Sequence, residues 1–399
     1  MKRILFVDDE PKILQGLKRM LRSMRNEWDM EFAESGPAAL ELMNKEPFNV
    51  VVTDMRMPGM SGAELLAEVM KRYPDTIRLV LSGQSSKRTF YRALGTAHQF
   101  LSKPCNADAI KATIARAFAL RDLLESESLK RFVSQMVTLP SISTVYTELM
   151  NELKSEDPSI QKIGQLIEQD MGMSAKILQV VNSSFFGVRR QIVRPRQAAV
   201  LIGLDTIRSL VCMVHIFSQF NRENTPASFS IEDLWKHSTS VGRYSMVITK
   251  HENGKKESVE EALTAGLLHD VGKLVFAANL PEEYSKALDM EQERQIHICE
   301  AEKMIFGSTH AEVGAYLLGL WGVPESIVEA VAFHHRPQEC RNNKFGPLAS
   351  IHVANAFQHE DCCDEFEIST LIDLDYLEKV NLENRLPKWR EACQTIDEA

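Results

Sequence analysis

Short apolar runs alternate with helical stripes along the first 120 positions of the chain. The spacing of Ile13, Leu14, Leu17, Met20 and Leu21 predicts a helix that packs on a sheet through one face. The strand-like runs are Ile4 to Val7, Met30 to Ala33, Val50 to Thr53, Ile77 to Leu81 and Gln99 to Leu101. Because strands and helices alternate strictly, residues 1–120 predict an α/β domain with a doubly wound, five-stranded parallel sheet.

Polar residues follow the ends of four of these strands. Asp8 and Asp9 come after the first run, Asp54 after the third, Ser82 after the fourth and Lys103 after the fifth. Such sheets bind their ligands beyond the carboxyl ends of the strands. A single Asp there is more often a turn former or a helix cap, but five polar residues at one edge favour a binding site. Three crowded carboxylates predict a hard cation among them, and Mg²⁺ prefers oxygen ligands of this kind.

The rest of the chain predicts helices. Residues 121–135 predict a helical linker, either as part of one long helix, since no Pro or Gly interrupts residues 105–139, or as a short helix and a polar segment at 125–128. From residue 136 the strand pattern disappears, and helical stripes predict an all-α domain over residues 136–340. Residues 341–399 predict a C-terminal helical extension that packs against this domain.

A series of histidines is the main polar signal of the helical half. Imidazole and carboxylate groups bind divalent metals, and an adjacent His–Asp pair can bridge two ions that activate water for phosphoester hydrolysis. Fe, Mn or Zn would be the metal expected at such a site. An isolated histidine on a helix is more often a satisfied core or surface residue. The candidate ligands are His237, His269, Asp270, His310, His334 and His335.

Composition narrows the function classes. The chain has 399 residues, with 46 Lys and Arg against 55 Asp and Glu, a formal net charge of −9 and no basic block. Electrostatics therefore give no case for a nucleic-acid surface. No apolar stretch reaches the roughly 20 residues that a membrane span needs, and the seven cysteines form no CxxC pair. Reduced thiols and a cytoplasmic location are expected.

Residues 1–120 resemble the receiver domain of two-component response regulators, which has a flavodoxin-like fold. The matching motifs are Val7-Asp8-Asp9-Glu10, Asp54-Met55-Arg56-Met57-Pro58-Gly59, Leu81-Ser82-Gly83 and Phe100-Leu101-Ser102-Lys103-Pro104. The resemblance implies that a histidine kinase transfers a phosphoryl group to Asp54.

The resemblance also implies roles for the other matched residues. Asp9 and Asp54 would bind Mg²⁺ directly, Asp8 through a water molecule and Arg56 through its backbone carbonyl. Arg56 stands where the family often has Asn or another polar residue, which bears on the dephosphorylation rate. Three residues would respond to the phosphoryl group and remodel the face formed by the family's fourth helix, fifth strand and fifth helix: Ser82, Phe100 and Lys103.

Residues 130–335 resemble the HD superfamily of metal-dependent phosphohydrolases, and more closely its HDOD branch. The resemblance rests on Leu139-Pro140, residues 177–183, residues 199–204 and Trp321-Gly322-Val323-Pro324. HDOD domains act mostly in regulation and protein contact, so the resemblance implies an output without catalysis. Two departures from the active HD-GYP branch point the same way: Arg336-Pro337-Gln338 follows the paired histidines, and Asn355 replaces a metal-binding Asp.

Two functions from different classes follow from the sequence. The first is a response regulator in which phosphorylated Asp54 controls a regulatory HDOD domain that acts through contacts with a downstream protein. The second is a receiver-controlled phosphodiesterase or phosphohydrolase that acts on a cyclic dinucleotide or another nucleotide. A nucleotide bound without cleavage and a homodimer remain open alternatives. No DNA-binding domain and no membrane partner are expected.

Overall fold

The computed structural model contains a parallel sheet with its helices, followed by a bundle of helices. It describes residues 1–399 except 84–89, 91–92, 137–138, 142, 184–185, 187, 189, 208–209, 211–217, 220–225, 227, 253, 343, 359–370 and 398–399. At residues 82, 140, 143, 218, 219, 396 and 397 it describes the backbone alone. The prediction of an α/β sheet domain followed by a helical domain is confirmed.

Five parallel strands form the sheet in the order β2-β1-β3-β4-β5. Their bounds are Lys2–Val7 (β1), Trp28–Ala33 (β2), Val50–Asp54 (β3), Ile77–Ser82 (β4) and Gln99–Ser102 (β5). All five residues of β3 are buried, as expected for a central strand with helices on both faces. The register pairs Val7 with Thr53 and Asp54 with Leu81, so the carboxyl ends of β1, β3 and β4 meet at one edge.

Four described helices belong to the sheet domain: Pro11–Met20 (α1), Gly36–Lys45 (α2), Gly62–Arg72 (α3) and Ala107–Asp122 (α4). Helix α1 carries the apolar stripe that predicted it, and its Leu14 and Leu17 are buried. Polar side chains fix the start of the others, because Ser35, Ser61 and Asn106 each accept a backbone N–H of the first turn. The family's fourth helix is expected between β4 and β5, a segment that lies largely outside the described residues.

The linker is not one long helix. Helix α4 ends at Asp122, and a new helix, Glu127–Gln135 (α5), begins after Ser126, whose side chain accepts the N–H of Leu129 at 3.3 Å. Of the two arrangements predicted for the linker, the structure agrees with a break at the polar segment 125–128, and the continuous helix through residues 105–139 is wrong. Residues 105–139 contain no Pro or Gly, but the helix still breaks, because a serine cap in the polar segment starts a new helix.

Helices account for almost all described regular structure beyond the linker. A two-residue parallel pair, Pro140–Ser141 (β6) with Ser218–Gln219 (β7), is the exception. The helices are Ser143–Lys154 (α6), Ile160–Glu168 (α7), Met171–Val181 (α8), Pro195–Ile202 (α9), Ile231–His251 (α10), Lys256–Leu268 (α11), Val271–Asn279 (α12), Pro281–Arg294 (α13), Ile298–Phe306 (α14), His310–Leu320 (α15), Glu325–Phe333 (α16), Pro347–Phe357 (α17), Leu374–Lys379 (α18) and Leu386–Asp397 (α19).

The helical core continues into the C-terminal extension. Helix α17 packs against α10, α11 and α16, and α19 packs against α10. Trp389 of α19 is fully buried, and its indole N–H donates to Glu252 at 3.0 Å. Helices α8 and α15 are buried along their whole length, which places them at the centre of the domain. In the part of the chain that the structure describes, no helix is both long and apolar enough to span a membrane.

Candidate functional site

The edge of the sheet forms an acidic pocket, which we define by Asp8, Asp54 and Lys103. Asp8 follows β1, Asp54 ends β3, and both carboxylates are buried. The Lys103 ammonium lies between them, donating to Asp8 Oδ2 at 2.6 Å and to Asp54 Oδ1. Burial alone would lower the pKa of Lys103, but its hydrogen bonds to the two carboxylates raise it. The two carboxylates thus face one point, which a cation already occupies.

Other residues predicted for this site lie around the pocket. Asp9 is half-buried next to Asp8 and takes no part in the contacts of Lys103. Arg56 donates its backbone N–H to Asp54 Oδ2, while its carbonyl as a magnesium ligand stays a prediction. Ser82 ends β4, beside Ser102 of β5 in the register, but its side chain lies outside the described residues. The carboxylate oxygens of Asp8 and Asp54 suit Mg²⁺. The Lys103 ammonium already contacts both and balances part of their negative charge.

A glycine allows the chain to pass close behind Asp54. A Cβ added at Gly62, the first residue of α3, would lie 2.0 Å from the Asp54 carbonyl oxygen. The Gly62 N–H donates to the Met55 carbonyl at 3.2 Å, and the start of α3 is fixed by reciprocal hydrogen bonds between Ser61 and Glu64. The loop after β3 is therefore held by a close backbone contact that only glycine permits.

Phe100 connects the sheet to the helical domain. It lies on β5, three residues before Lys103, and its side chain is buried. Its ring centroid lies 5.0 Å from that of Phe90, and the Phe90 ring lies 6.0 Å from that of Phe186 in the helical domain. Such distances are typical of attractive aromatic pairs. A row of three rings therefore extends from the strand next to the acidic pocket into the second domain.

Backbone carbonyls of the helical domain accept hydrogen bonds from the sheet domain. Gln99 Nε2, from the residue before Phe100, donates to the Gly319 carbonyl at 2.7 Å, and Arg116 of α4 donates to the Val323 carbonyl at 2.6 Å. Helix α4 also packs directly on α15. The contact between the domains thus uses β5 and α4, which correspond to the fifth strand and fifth helix of the receiver pattern.

A buried arginine stabilises the same interface. Arg78 of β4 donates to the carbonyls of Thr96 at 2.6 Å and Ser134 at 2.7 Å. Burial lowers the pKa of Arg78 to about 10, so it stays charged at neutral pH. The Ser134 hydroxyl shares a 2.9 Å hydrogen bond with the Tyr316 hydroxyl of α15. The sequence pattern did not indicate this network, because Thr96, Ser134 and Tyr316 are distant from Arg78 along the chain.

In the helical domain the predicted histidines surround one carboxylate. We call His237, His269, Asp270, His310, His334 and His335 the imidazole cluster. Asp270 Oδ1 lies 3.1 Å from His310 Nε2 and 3.8 Å from His334 Nε2, and Oδ2 lies 3.4 Å from His269 Nε2 and 3.7 Å from His237 Nε2. Two groups of possible metal ligands share Asp270: His237 with His269, and His310 with His334 and His335.

The second nitrogen of three imidazoles is fixed by a hydrogen bond. Nδ1 of His269 contacts the Gly266 carbonyl at 2.7 Å, Nδ1 of His334 contacts the Val331 carbonyl at 2.8 Å, and Nδ1 of His310 contacts a carboxylate oxygen at 2.8 Å. Because carbonyls accept, Nδ1 of His269 and His334 carries the proton, and Nε2 presents a lone pair towards Asp270. This arrangement is typical of metal-binding histidines.

Several atoms of the imidazole cluster are buried without a hydrogen-bond partner. They are His269 Nε2, His334 Nε2 and Asp270 Oδ1, and they belong to the two ligand groups that share Asp270. Unpaired buried polar atoms are unfavourable, and a divalent cation in either group would satisfy Asp270 together with the imidazole of that group. The donor set therefore fits a metal ion of the Fe, Mn or Zn type.

The electrostatics of the cluster are dominated by burial and by its own charges. Burial and the neighbouring imidazoles hold the pKa values of His334 and His335 well below the ordinary value. Burial would also lower the pKa of His310, but Glu302 and Asp270 raise it to about 9. Burial would raise the pKa of Asp270, yet His269, Lys273 and His310 hold it well below its usual range. Asp270 is thus a carboxylate surrounded by groups that favour its charge.

Two ionic partners of the cluster were missed by the sequence analysis. Lys273 donates to Asp270 Oδ2 at 2.8 Å, and Glu302 Oε2 contacts His310 Nδ1 at 2.8 Å. Lys273 was within reach of sequence reasoning, since it lies three residues after Asp270 on α12. Glu302 was not, because it belongs to another helix. The Lys273 ammonium competes with a metal ion for one oxygen of Asp270.

Two other polar residues lie on α17. His352 links the His334 carbonyl, 2.8 Å from its Nδ1, to the Asp373 N–H, 2.8 Å from its Nε2, so both of its nitrogens are used structurally. Asn355, which replaces a metal-binding Asp of the HD-GYP pattern, has a buried side-chain oxygen without a hydrogen-bond partner. A neutral amide oxygen offers a hard cation less than a carboxylate would.

Comparison with known proteins identifies both domains. The family model of the response regulator receiver domain matches residues 4–115, and that of the HDOD domain matches residues 139–337. The chain therefore combines an N-terminal receiver domain of the response regulator type with an HDOD domain.

Individual relatives match parts of the chain. An uncharacterized protein of Treponema pallidum is 25% identical over 227 residues, which cover 56% of this chain and 43% of that protein. The response regulator protein PilR of Pseudomonas aeruginosa is 34% identical over 122 residues, 30% of this chain and 27% of PilR. The chain thus spans less than half the length of these curated relatives. A crystal structure of the MmoQ response regulator from Methylococcus capsulatus is 25% identical, with a TM-score of 0.44, and the match covers 59% of this chain and 98% of that one.

Proposed function

We propose that a histidine kinase phosphorylates Asp54 in the cytoplasm and that this controls the HDOD domain through its contact with β5 and α4. The observation that carries the proposal is the position of Phe100. Its buried ring belongs to the strand that leads to Lys103 and packs on Phe90, which in turn packs on Phe186 of the helical domain. The HDOD domain then acts through contacts with a downstream protein.

The acidic pocket contains the groups that phosphoryl transfer needs. An Asp54 carboxylate oxygen attacks the phosphorus atom, and the kinase histidine leaves as the phosphorus–nitrogen bond breaks. Asp9, Asp54 and the Arg56 carbonyl would hold Mg²⁺, with Asp8 acting through water, and the ion would supply positive charge for the transferring group. Lys103 already contacts Asp54 Oδ1, so it can bind an oxygen of the new phosphoryl group without moving far.

The change at Asp54 reaches the HDOD domain along β5. Lys103 follows this strand directly, and a shift of Lys103 towards the phosphoryl group moves the backbone that carries Phe100 and Gln99. Phe100 borders a cavity of about 760 Å³ between β5, α4 and the helical domain, which gives its ring room to change position. Movement of Gln99 would lengthen the 2.7 Å hydrogen bond to Gly319. Phosphorylation is therefore expected to loosen the contact between the domains.

Hydrogen exchange of the full chain with beryllofluoride and Mg²⁺ tests this proposal. We expect faster exchange in residues 127–135 and 310–322 of the wild type, no response in Asp54→Ala, and a normal response in Asp108→Ala, which removes an exposed carboxylate of the same domain. Unchanged exchange in the wild type would contradict the coupling. Labelling of Asp54→Ala by radioactive acetyl phosphate would contradict the assignment of the phosphorylation site.

The imidazole cluster supports a second candidate function, a metal-dependent phosphodiesterase or phosphohydrolase. The unpaired buried atoms of His269, His334 and Asp270 favour metal binding. A bound metal would supply an activated water for phosphoester hydrolysis. Lys273 on Asp270 and the neutral Asn355 weigh against a complete pair of metals. We therefore propose metal binding here as the first step to test, with hydrolysis of a cyclic dinucleotide or another nucleotide as its possible consequence.

Metal analysis separates these functions. The full chain is loaded with Fe²⁺, Mn²⁺ or Zn²⁺, freed of excess metal and analysed for bound metal and for hydrolysis of cyclic dinucleotides. We expect metal in the wild type and in His251→Ala, which lacks an exposed histidine at the end of α10, and less metal in His269→Ala. Equal metal in all three proteins would place it outside the cluster. Bound metal without hydrolysis would contradict the enzymatic function and favour the regulatory one.

A further inference from the structure

A thiol and two imidazoles meet beside the imidazole cluster. They belong to His297, Cys299 and His335, and one ligand atom of each lies within 4.8 Å of the others. His297 is exposed, and the other two residues are half-buried, so solvent can reach the group. No motif of the sequence indicated this group, because Cys299 is far from any other cysteine and His297 precedes an ordinary helix start.

The local fold directs His297 towards Cys299. His297 caps α14, and its Nδ1 accepts the backbone N–H of Cys299 at 3.2 Å. An accepting nitrogen carries its lone pair rather than a proton. The lone pair of His297 Nδ1 therefore points at the Cys299 N–H in the first turn of α14, where the Cys299 thiol also lies, and a metal ion bound to Nδ1 would take the place of that N–H.

His335 reaches the same place from another helix. It follows the end of α16, and its ring centroid lies 4.8 Å from that of His297. His335 Nε2 lies 3.2 Å from His310 Nε2, whereas Nδ1 makes no hydrogen bond with any residue that the structure describes. With two ring nitrogens, His335 can contribute to the imidazole cluster and to the group with Cys299.

We propose that His297, Cys299 and His335 form a zinc-class metal site beside the ligands around Asp270, with which it shares His335. One thiolate and two imidazoles match the preference of Zn²⁺. Tetrahedral zinc bonds of about 2.0–2.3 Å place the ligand atoms about 3.3–3.8 Å from one another, so the present separations of up to 4.8 Å would have to shorten. The three protein ligands leave the fourth tetrahedral position to water or an external ligand. Because His335 belongs to both groups, a metal here changes the ligand set available to Asp270.

Cobalt titration tests the site in the full chain. Co²⁺ replaces Zn²⁺ in such sites, and a cobalt–thiolate bond gives a near-ultraviolet charge-transfer band that imidazole and carboxylate ligands do not give. The protein is freed of metal, kept reduced and titrated with Co²⁺ alone. We expect the band in the wild type, its loss in Cys299→Ser and weakening of cobalt affinity by roughly tenfold or more in His297→Gln, which removes one ligand.

A second cysteine provides the matched control. Cys105 is another half-buried free thiol, located in the receiver domain, and Cys105→Ser should keep the full band. A band that persists in Cys299→Ser, or its absence from the folded wild type, would overturn the proposal. Equal affinity of His297→Gln and the wild type would do the same. The charge-transfer band reports a thiolate ligand only, so this result can be told apart from the outcome for phosphorylation at Asp54 and for metal at Asp270, neither of which requires a thiolate.

Discussion

Addition of one methyl group at Gly319 should destabilise the contact between the two domains. Gly319 lies near the end of α15, and a Cβ built there would lie 1.9 Å from Leu120 Cδ1 of α4. Carbon atoms in contact are normally about 3.5–4.0 Å apart, so Leu120 would have to move by roughly 2 Å. Leu120 is buried, and this movement must displace other side chains of the interface.

The magnitude follows from two opposing effects. Alanine is favoured over glycine inside a helix by up to about 1 kcal/mol. Overpacking of a well-packed region costs about 1–3 kcal/mol. Gly319→Ala should therefore lower the free energy of unfolding by up to about 2 kcal/mol. Gly16 of α1 provides the control, since a Cβ there meets nothing within 4 Å, and Gly16→Ala should raise stability by up to about 1 kcal/mol.

Urea unfolding of the full chain, followed by circular dichroism, measures both effects. Leu120→Ala completes the experiment, because removal of its methyl groups makes room for the new Cβ at Gly319. The cost of Gly319→Ala should disappear in the Leu120→Ala background, which gives a coupling energy of about 1–2 kcal/mol. If Gly319→Ala stabilises the chain as Gly16→Ala does, or if the two substitutions are additive, the close contact of α4 and α15 is wrong.

Three further predictions concern buried groups. Arg78→Ala leaves several buried carbonyls unpaired and should lower the free energy of unfolding by about 3 kcal/mol or more. Arg72→Ala removes an exposed ion pair and should lower it by about 0.5 kcal/mol. Similar losses of stability in urea unfolding would contradict the buried network. Burial lowers the pKa of Lys176 to about 7. Above that pH the unfolded chain binds more protons than the folded chain, so the free energy of unfolding of the wild type should rise from pH 7 towards pH 10 relative to that of Lys176→Met. Parallel pH profiles of the two proteins would refute this. Gly272→Ala places a Cβ 1.9 Å from the His310 carbonyl oxygen and should cost about 3 kcal/mol or more; a melting temperature equal to that of the wild type would be the contrary result.

The sheet domain was predictable because its signals are local. Four of the five strands end in, or are followed by, a polar residue at one edge, and the parallel arrangement brings Asp8, Asp54 and Lys103 together. Periodicity also identified the helical half, and its candidate metal ligands were identified by residue type. Neither kind of pattern depends on residues that are distant along the chain, which explains why a single sequence is enough for them.

The residues that join elements were not predictable in the same way. Arg78 interrupts an apolar strand, and its role depends on the carbonyls of Thr96 and Ser134, which reach it only in the folded chain. A break at the polar segment 125–128 was one of two predicted arrangements, but the sequence did not decide between them, and Ser126 and Ser128 were equally plausible caps. Glu302 is invisible as a partner of His310 until α14 and α15 are placed side by side.

The contact between the domains also limits how the chain can be recombined. The receiver contributes a specific glutamine, Gln99, and a specific arginine, Arg116, which donate to carbonyls of the HDOD domain. Leu120 in turn fits against a position where the output domain has no side chain, Gly319. A receiver transplanted from another protein would have to bring all three side chains with it. The two domains of this chain therefore form a matched pair and are exchangeable only together with their interface.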